Sequence, residues 1–253
     1  MHLNKKIPRL VAHRGYMSAY PENTLLGISQ AIEHGACFVE FDVQCGRDGE
    51  LIVHHDATLD RTTGASGRVF ERDSSELVSI SAHEPDRFGD RFAGEKIPLL
   101  SDALALLANS DNCHAFVEIK CESLDHFGMQ TVMDRLMQTL HAFSRRCTII
   151  TFDAEAIRYA KSRHWTTGWV LNHYDERHKQ IARDLHADYL VCDYRKIPPG
   201  KPWPGNWQWM LYDIIEADLA LEFAAQGVDF IETGDIGSMA RDPALGIRSC
   251  DRD

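Results

Sequence analysis

The chain reads as an α/β protein: a closed TIM (β/α)8 barrel with a small insertion after the second strand and an irregular sixth crossover. Eight short β-rich runs alternate with helical stretches, which points to a parallel sheet, and eight is the number that closes a barrel. A length of 253 residues suits one such unit. Carboxylates and histidines gather where the runs end, and that is the face on which such barrels carry their sites.

The predicted strands are Arg9–Ala12, Cys37–Val43, Ala115–Ile119, Thr148–Thr151, Thr167–Leu171, Tyr189–Cys192, Trp207–Leu211 and Phe230–Thr233. Helical stretches follow most of them: Thr24–His34, one around Gly128–Phe143, Ala154–Arg163, Glu176–His186 and Ala217–Gln226. The first helix has Asn23 or Thr24 as its cap, and Gly35 and Gly227 stand where helices should stop. Two places break the rhythm. The stretch from about residue 44 to 114 is too long for one helix, and it holds a further strand at Leu51–His54 and a helix near Leu100–Ala108. It reads as an excursion at the barrel mouth that carries His55. The run KIPPGKPWPGN at 196–206 cannot continue a helix, so a regular barrel helix is expected to be missing there. No repeat, low-complexity tract or linker divides the chain, and residues 1–253 are expected to form a single domain.

Composition narrows the function. A net charge of −11 argues against nucleic acid as a partner, because a duplex binder needs a basic footprint. An anionic small substrate stays open, since a local divalent cation with an Arg or Lys reverses the potential inside a pocket. No run approaches the roughly 18–20 apolar residues of a membrane span, so no stable membrane anchor is expected. The first residues carry basic groups but no apolar stretch of signal-peptide length, which predicts a cytoplasmic protein. The seven cysteines are an odd number, scattered and without a C-x-x-C pair. That predicts reduced thiols, no disulfide framework and no thiolate zinc site.

The chemistry concentrates in a few strand ends. In FVEFDV, Glu40 and Asp42 share one face while Val39, Phe41 and Val43 take the other. In FVEIK, Glu118 and Lys120 are related in the same way. Such acids are either solvated edge residues with Arg partners or ligands of a cation. Three of them converging without a cation would repel one another. An all-oxygen set suits Mg²⁺ or Ca²⁺. His13 is either a satisfied core histidine or a site residue. The Arg14 that follows offers a planar fork for phosphate, and Gly15 allows close backbone approach. Alternation sends His54 and His55 to opposite faces, so at most one enters a site, and Asp56 would orient or neutralise His55. Lys120 either balances the acids or holds an anionic oxygen.

The run from Val11 to Gly64 resembles, almost element by element, the opening of the glycerophosphodiester phosphodiesterase family. That pattern has HRG (His13–Gly15), PENT (Pro21–Thr24), E-x-D (Glu40, Asp42), a D-G turn (Asp48–Gly49), HD (His55–Asp56) and R-T-T (Arg61–Thr63). Val117–Lys120 is similar to its next signature, and Thr151–Asp153 to its S-F-D. The C-terminal quarter departs. The family's W-T-V-N reads Trp209, Met210, Leu211, Tyr212 here, and its T-D-x-P reads Thr233, Gly234, Asp235, Ile236. The short segment before Glu118 is similar to the compact cytoplasmic members.

The resemblance implies hydrolysis of a small-molecule glycerophosphodiester to glycerol 3-phosphate and an alcohol. It implies one Mg²⁺ or Ca²⁺ on Glu40, Asp42 and Glu118, with His13 and His55 as acid and base. It further implies substrate contacts from Arg14, Lys120, Phe152 and Trp209. Attack by the substrate's own 2-hydroxyl and attack by water both remain open. A lysophospholipase D-like enzyme would share this machinery and add an apolar entry groove, for which Trp203, Trp207 and Phe152 are candidates. A sugar isomerase or aldolase would want His or Lys ligands on later strands, where the chain offers little beyond Asp153 and Asp193. A non-enzymatic barrel would have lost a ligand or a histidine, and none is missing.

Overall fold

The protein is described here by a computed structural model covering residues 6–110, 112–198, 200, 202–245 and 250. Its strands are β1 (Arg9–Ala12), β2 (Phe38–Cys45), β3 (Leu51–Val53), β4 (His114–Ile119), β5 (Cys147–Thr151), β6 (Thr167–Val170), β7 (Tyr189–Asp193), β8 (Gln208–Tyr212) and β9 (Phe230–Thr233). Each barrel strand pairs in parallel with the next, and β1 closes the ring by pairing with both β2 and β9. Only β3 stands apart, antiparallel on the end of β2. The eight strands expected from the sequence are the eight staves of this TIM barrel.

Alternation divides the side chains into two sets. Val11, Phe116, Ile150, Val170, Val191, Met210 and Phe230 fill the inside of the barrel. Val39, Phe41, Val43, Val117 and Ile119 face outward and pack against the helix layer. One step further along each inward face come the polar residues of the mouth. The β2–β4 register sets Asp42 beside Glu118, so the two carboxylates meet across neighbouring staves.

Helix Leu25–Glu33 starts where the sequence placed it. Thr24 Oγ1 accepts from Gly27 N at 3.0 Å, which leaves the Asn23 side chain for another task. Gly15 has φ +79°, and a Cβ there would lie 2.6 Å from Gly27 C. Close packing on the helix start thus requires a glycine here. Between β2 and β4 the chain builds short helices at Ser74–Leu77 and Pro85–Phe88, then Leu100–Ala108. These gather around a small core of Ile52, Leu59, Val69, Phe70, Leu77, Ala82 and Ile97. Between β7 and β8 the described residues hold only a 3-10 turn, Tyr194–Lys196, as the proline-rich run predicted.

The cysteine expectation needs one correction. Cys37 and Cys250 form a disulfide, while Cys45, Cys113, Cys121, Cys147 and Cys192 are free. Pairing follows spatial proximity, not an even count. The fold returns residue 250 to the start of β2, with the two Cα atoms 5.1 Å apart across a separation of 213 residues. The bridge sits at the opposite end of β2 from Asp42.

Candidate active site

The mouth is a ring of strand-end side chains. Glu40, Asp42 and Glu118 each offer an oxygen within 4.8 Å of the others, and Glu40 and Asp42 are each only 2% exposed. Each is held from outside. Asn23 clamps Asp42 twice: its Nδ2 donates to Asp42 Oδ2 at 2.9 Å, and its Oδ1 accepts from Asp42 N at 3.0 Å. Asn23 manages this from a left-handed φ of 55°, a region Asn tolerates better than most residues. Lys120 Nζ lies 2.6 Å from Glu118 Oε1 and 3.3 Å from Asp42 Oδ1. Arg14 N donates to Glu40 Oε2 at 3.0 Å, and Arg14 Nε lies 3.2 Å from Asp42 Oδ2.

The electrostatics follow from crowding. Burial works against the Asp42 charge, but Lys120 and Arg14 outweigh it and hold its carboxyl far below the usual range. Glu40 goes the other way: burial, then repulsion from Asp42, Glu232 and Glu118, pushes it well up. Among the described residues, Glu40 Oε1 is buried with no hydrogen-bond partner. An orphaned oxygen among three convergent carboxylates, with no soft donor beside them, is a fit for a hard divalent cation.

The two histidines are set differently. His55 follows β3, and its Nδ1 meets Asp56 Oδ1 at 2.5 Å. Arg61 grips Asp56 through Nε at 2.8 Å, and reaches Glu22 with Nη1 and Nη2, each at 2.7 Å. Arg14 Nη1 joins the same carboxylate at 2.8 Å. Burial alone would raise Glu22, but Arg61 and Arg14 bring it down to about 2. His54 turns away, as alternation required, and binds Thr58 O at 3.0 Å from a buried position. His13 follows β1. Its Nε2 faces Glu232 Oε1 at 3.6 Å and Glu40 Oε2 at 4.0 Å, and its Nδ1 faces Asp213 Oδ1 at 3.5 Å. Burial disfavours its charge, yet Glu232 and Asp213 prevail and raise its pKa.

The structure thus brings together His13, Arg14, Glu40, Asp42, Glu118 and Lys120. Phe152, two residues beyond inward-facing Ile150, places its ring 6.0 Å from Lys120 Nζ. Trp209 is not part of this group. It alternates with inward-facing Met210, so it points to the helix layer, where its Nε1 donates to Trp203 O at 2.9 Å. Tyr212 occupies the mouth instead, its ring 6.2 Å from His13. Burial, then the nearby acids, raises the Tyr212 hydroxyl.

Sequence reasoning missed Glu232 and Asp213. Glu232 is 3% exposed and ends the inward face of β9. The run FIET carried the same signal as FVEFDV, an apolar strand ending on an inward acid. Asp213 left no such trace, because the histidine it faces lies 200 positions away in sequence.

A parallel barrel whose mouth holds a carboxylate cluster beside arginine, lysine and histidine defines a class of barrel with a polar, cation-ready site at its strand ends. Residues 13–189 match the model of the glycerophosphoryl diester phosphodiesterase family, and the chain belongs to that family. A glycerophosphodiester phosphodiesterase of Caldanaerobacter subterraneus subsp. tengcongensis is 34% identical over 60% of this chain and 61% of its own length. The bovine glycerophosphodiester phosphodiesterase 1 is 37% identical over 44% of this chain and 33% of its own. The matched segments therefore span under two thirds of these relatives. Among solved structures, an Oleispira antarctica phosphodiesterase in complex with the product sn-glycerol-3-phosphate superposes with a TM-score of 0.81 at 21% identity, covering 94% of this chain and 97% of that one. A glycerophosphodiester phosphodiesterase from Agrobacterium tumefaciens gives 0.70 at 25% identity, over 93% and 100%.

Proposed function

We propose that this protein hydrolyses glycerophosphodiesters to glycerol 3-phosphate and an alcohol. The observation that carries the reading is the buried Glu40–Asp42–Glu118 cluster with its orphaned oxygen, adjoining His13 and flanked by Arg14 and Lys120. The family relatives carry this activity in their names, and one structural neighbour holds the corresponding product. Glu40, Asp42 and Glu118 would hold one Mg²⁺ or Ca²⁺. Bound there, the cation supplies Lewis-acid stabilisation to a phosphoryl oxygen.

The rest falls to the chain's own residues. Arg14 and Lys120 share the phosphate charge as fixed donors. Lys120 is buried, yet Asp42 and Glu118 raise its pKa, so it stays an ammonium at neutral pH. One histidine takes the proton from the attacking hydroxyl, and the other returns a proton to the departing alkoxide. Each transfer is worth about 10²–10⁴ in rate. Attack by the glycerol 2-hydroxyl passes through a cyclic phosphate that water opens, and the histidines then exchange roles. Phe152 gives the mouth one apolar wall. An acyl-chain groove of the lysophospholipase D kind is not favoured, because Trp203 stacks on Tyr174 at 3.9 Å in the outer layer.

A panel of choline, ethanolamine, glycerol and inositol diesters, assayed against titrated Mg²⁺ and Ca²⁺, tests the reading. Release of sn-glycerol 3-phosphate is expected, with Glu40→Ala requiring more metal. No release from any diester at any metal concentration overturns it. A single domain over residues 1–253 completes the proposal; the location that the sequence predicts is cytoplasmic. No helix among the described residues is long and apolar enough to cross a membrane. The Cys37–Cys250 bridge stands against the location, since such bonds persist mainly in oxidising compartments. Cell fractionation decides.

A further inference from the structure

We propose that Asp213 is the positioning residue for His13, doing for that ring what Asp56 does for His55. The inference rests on the function proposed above for its kinetic arm alone. His13 Nδ1 is buried, and among the described residues it has no hydrogen-bond partner of good geometry. A buried polar nitrogen is costly to leave in that state. The nearest acceptor is Asp213 Oδ1 at 3.5 Å. That is long for a finished bond, and catalytic bonds in unliganded sites commonly tighten when substrate arrives.

The placement of Asp213 is built, not incidental. It stands just past β8 at φ +67°, in the left-handed region that Asp enters more readily than most residues. Arg195 holds its other oxygen, with Nη2 2.8 Å from Asp213 Oδ2. Arg195 is itself fixed by Asp193, which accepts from Nε at 2.7 Å and from Nη2 at 2.8 Å. On the other side of the mouth, Asp56 meets His55 Nδ1 and is gripped by Arg61. Both histidines therefore share one plan: an aspartate on Nδ1, an arginine on the aspartate. An acceptor on Nδ1 fixes the proton there and leaves Nε2 to exchange one. In His13 that free nitrogen faces Glu40 and Glu232, the wall of the cation pocket. Arg61 is local to His55 in sequence, while Arg195 comes from the 3-10 turn after β7.

The test compares wild type with Asp213→Asn, Asp213→Glu and Arg195→Ala, after thermal melting confirms each is folded. Nitrogen-15 NMR of labelled histidine reads the His13 tautomer without any turnover. Wild type is expected to carry its proton on Nδ1. Asp213→Asn is expected to shift the population toward Nε2–H, as an amide can offer a donor where the carboxylate only accepts. In the assay, Asp213→Asn should lower kcat about 10²-fold with KM within about twofold, the signature of lost proton-transfer geometry. Asp213→Glu should recover part of that, and Arg195→Ala should lose less. An unchanged tautomer together with kcat within about twofold overturns the proposal. A wild type that hydrolyses no diester overturns the function instead, and the tautomer then decides the positioning role alone.

Discussion

The two halves of the mouth perform the same task with different economy of sequence. The His55 side draws on residues 22, 55, 56 and 61, and its bonds are short: 2.5 Å from His55 to Asp56, and 2.7 Å from each of Arg61 Nη1 and Nη2 to Glu22. The His13 side draws on β1, β2, β9 and the residue after β8, and the contacts of the His13 ring itself run from 3.5 to 4.0 Å. One side is locked before substrate arrives, and the other is left with room to tighten. The difference suggests that stability and catalysis are distributed unevenly between them.

The largest effect should come from His55→Ala. Removing one proton-transfer group is expected to lower turnover about 10²–10⁴-fold, with metal affinity near normal because His55 is not in the carboxylate cluster. Steady-state kinetics and calorimetric metal titration check both halves of that statement. An activated aryl diester adds direction. A smaller loss on that substrate makes His55 the acid, since a good leaving group needs less help. Wild-type turnover of His55→Ala on glycerophosphocholine would remove the acid–base assignment.

The two supporting arginines sharpen the comparison in stability. Arg61 pairs with Glu22, whose side chain is 3% exposed, whereas Arg195 pairs with Asp213, whose side chain is 40% exposed. Arg61→Ala leaves a buried carboxylate short of a partner and should cost about 2 kcal/mol in chemical denaturation. Arg195→Ala breaks solvated pairs and should stay within about 1 kcal/mol. Equal losses would show that the His13 side is as rigid as the other.

Acid probes the same region. Glu22 has a folded pKa of about 2 against an ordinary 4.5. A depressed carboxylate contributes its full stability above the unfolded value and loses it as pH falls through the folded value. The contribution is on the order of 3 kcal/mol and should fade between about pH 4.5 and 2. Denaturation midpoints of wild type and Glu22→Gln should therefore converge toward pH 2. A difference independent of pH would assign the loss to packing.

How much was visible in the sequence follows the same divide. The eight staves, the insertion, the missing sixth helix and the strand-end acids of β2 and β4 were readable because period-2 alternation is a local signal. Asn23 was read only as a candidate helix cap. Its second use, clamping Asp42, depends on Thr24 taking the cap, which no spacing rule decides. Glu232 carried the right local signature and was passed over. Asp213, Arg195 and the Cys37–Cys250 pair are contacts between distant segments, and a linear pattern holds no term for them.

The smallest predicted effect tests the one placement that family likeness suggested and alternation denied. Trp209 precedes inward-facing Met210 on β8 and so faces the helix layer, where its ring is buried at 4% exposure beside Trp203 and Tyr174. Trp209→Phe keeps the aromatic filling and removes the Nε1 bond to Trp203 O. The loss should be about 1 kcal/mol of stability, with kcat and KM each within about twofold of wild type. Tyr212→Phe, on the inward face of the same strand, should instead move KM among diesters of different head group. If Trp209→Phe shifted KM and Tyr212→Phe did not, the register of β8 would be off by one residue, because a single step exchanges its two faces.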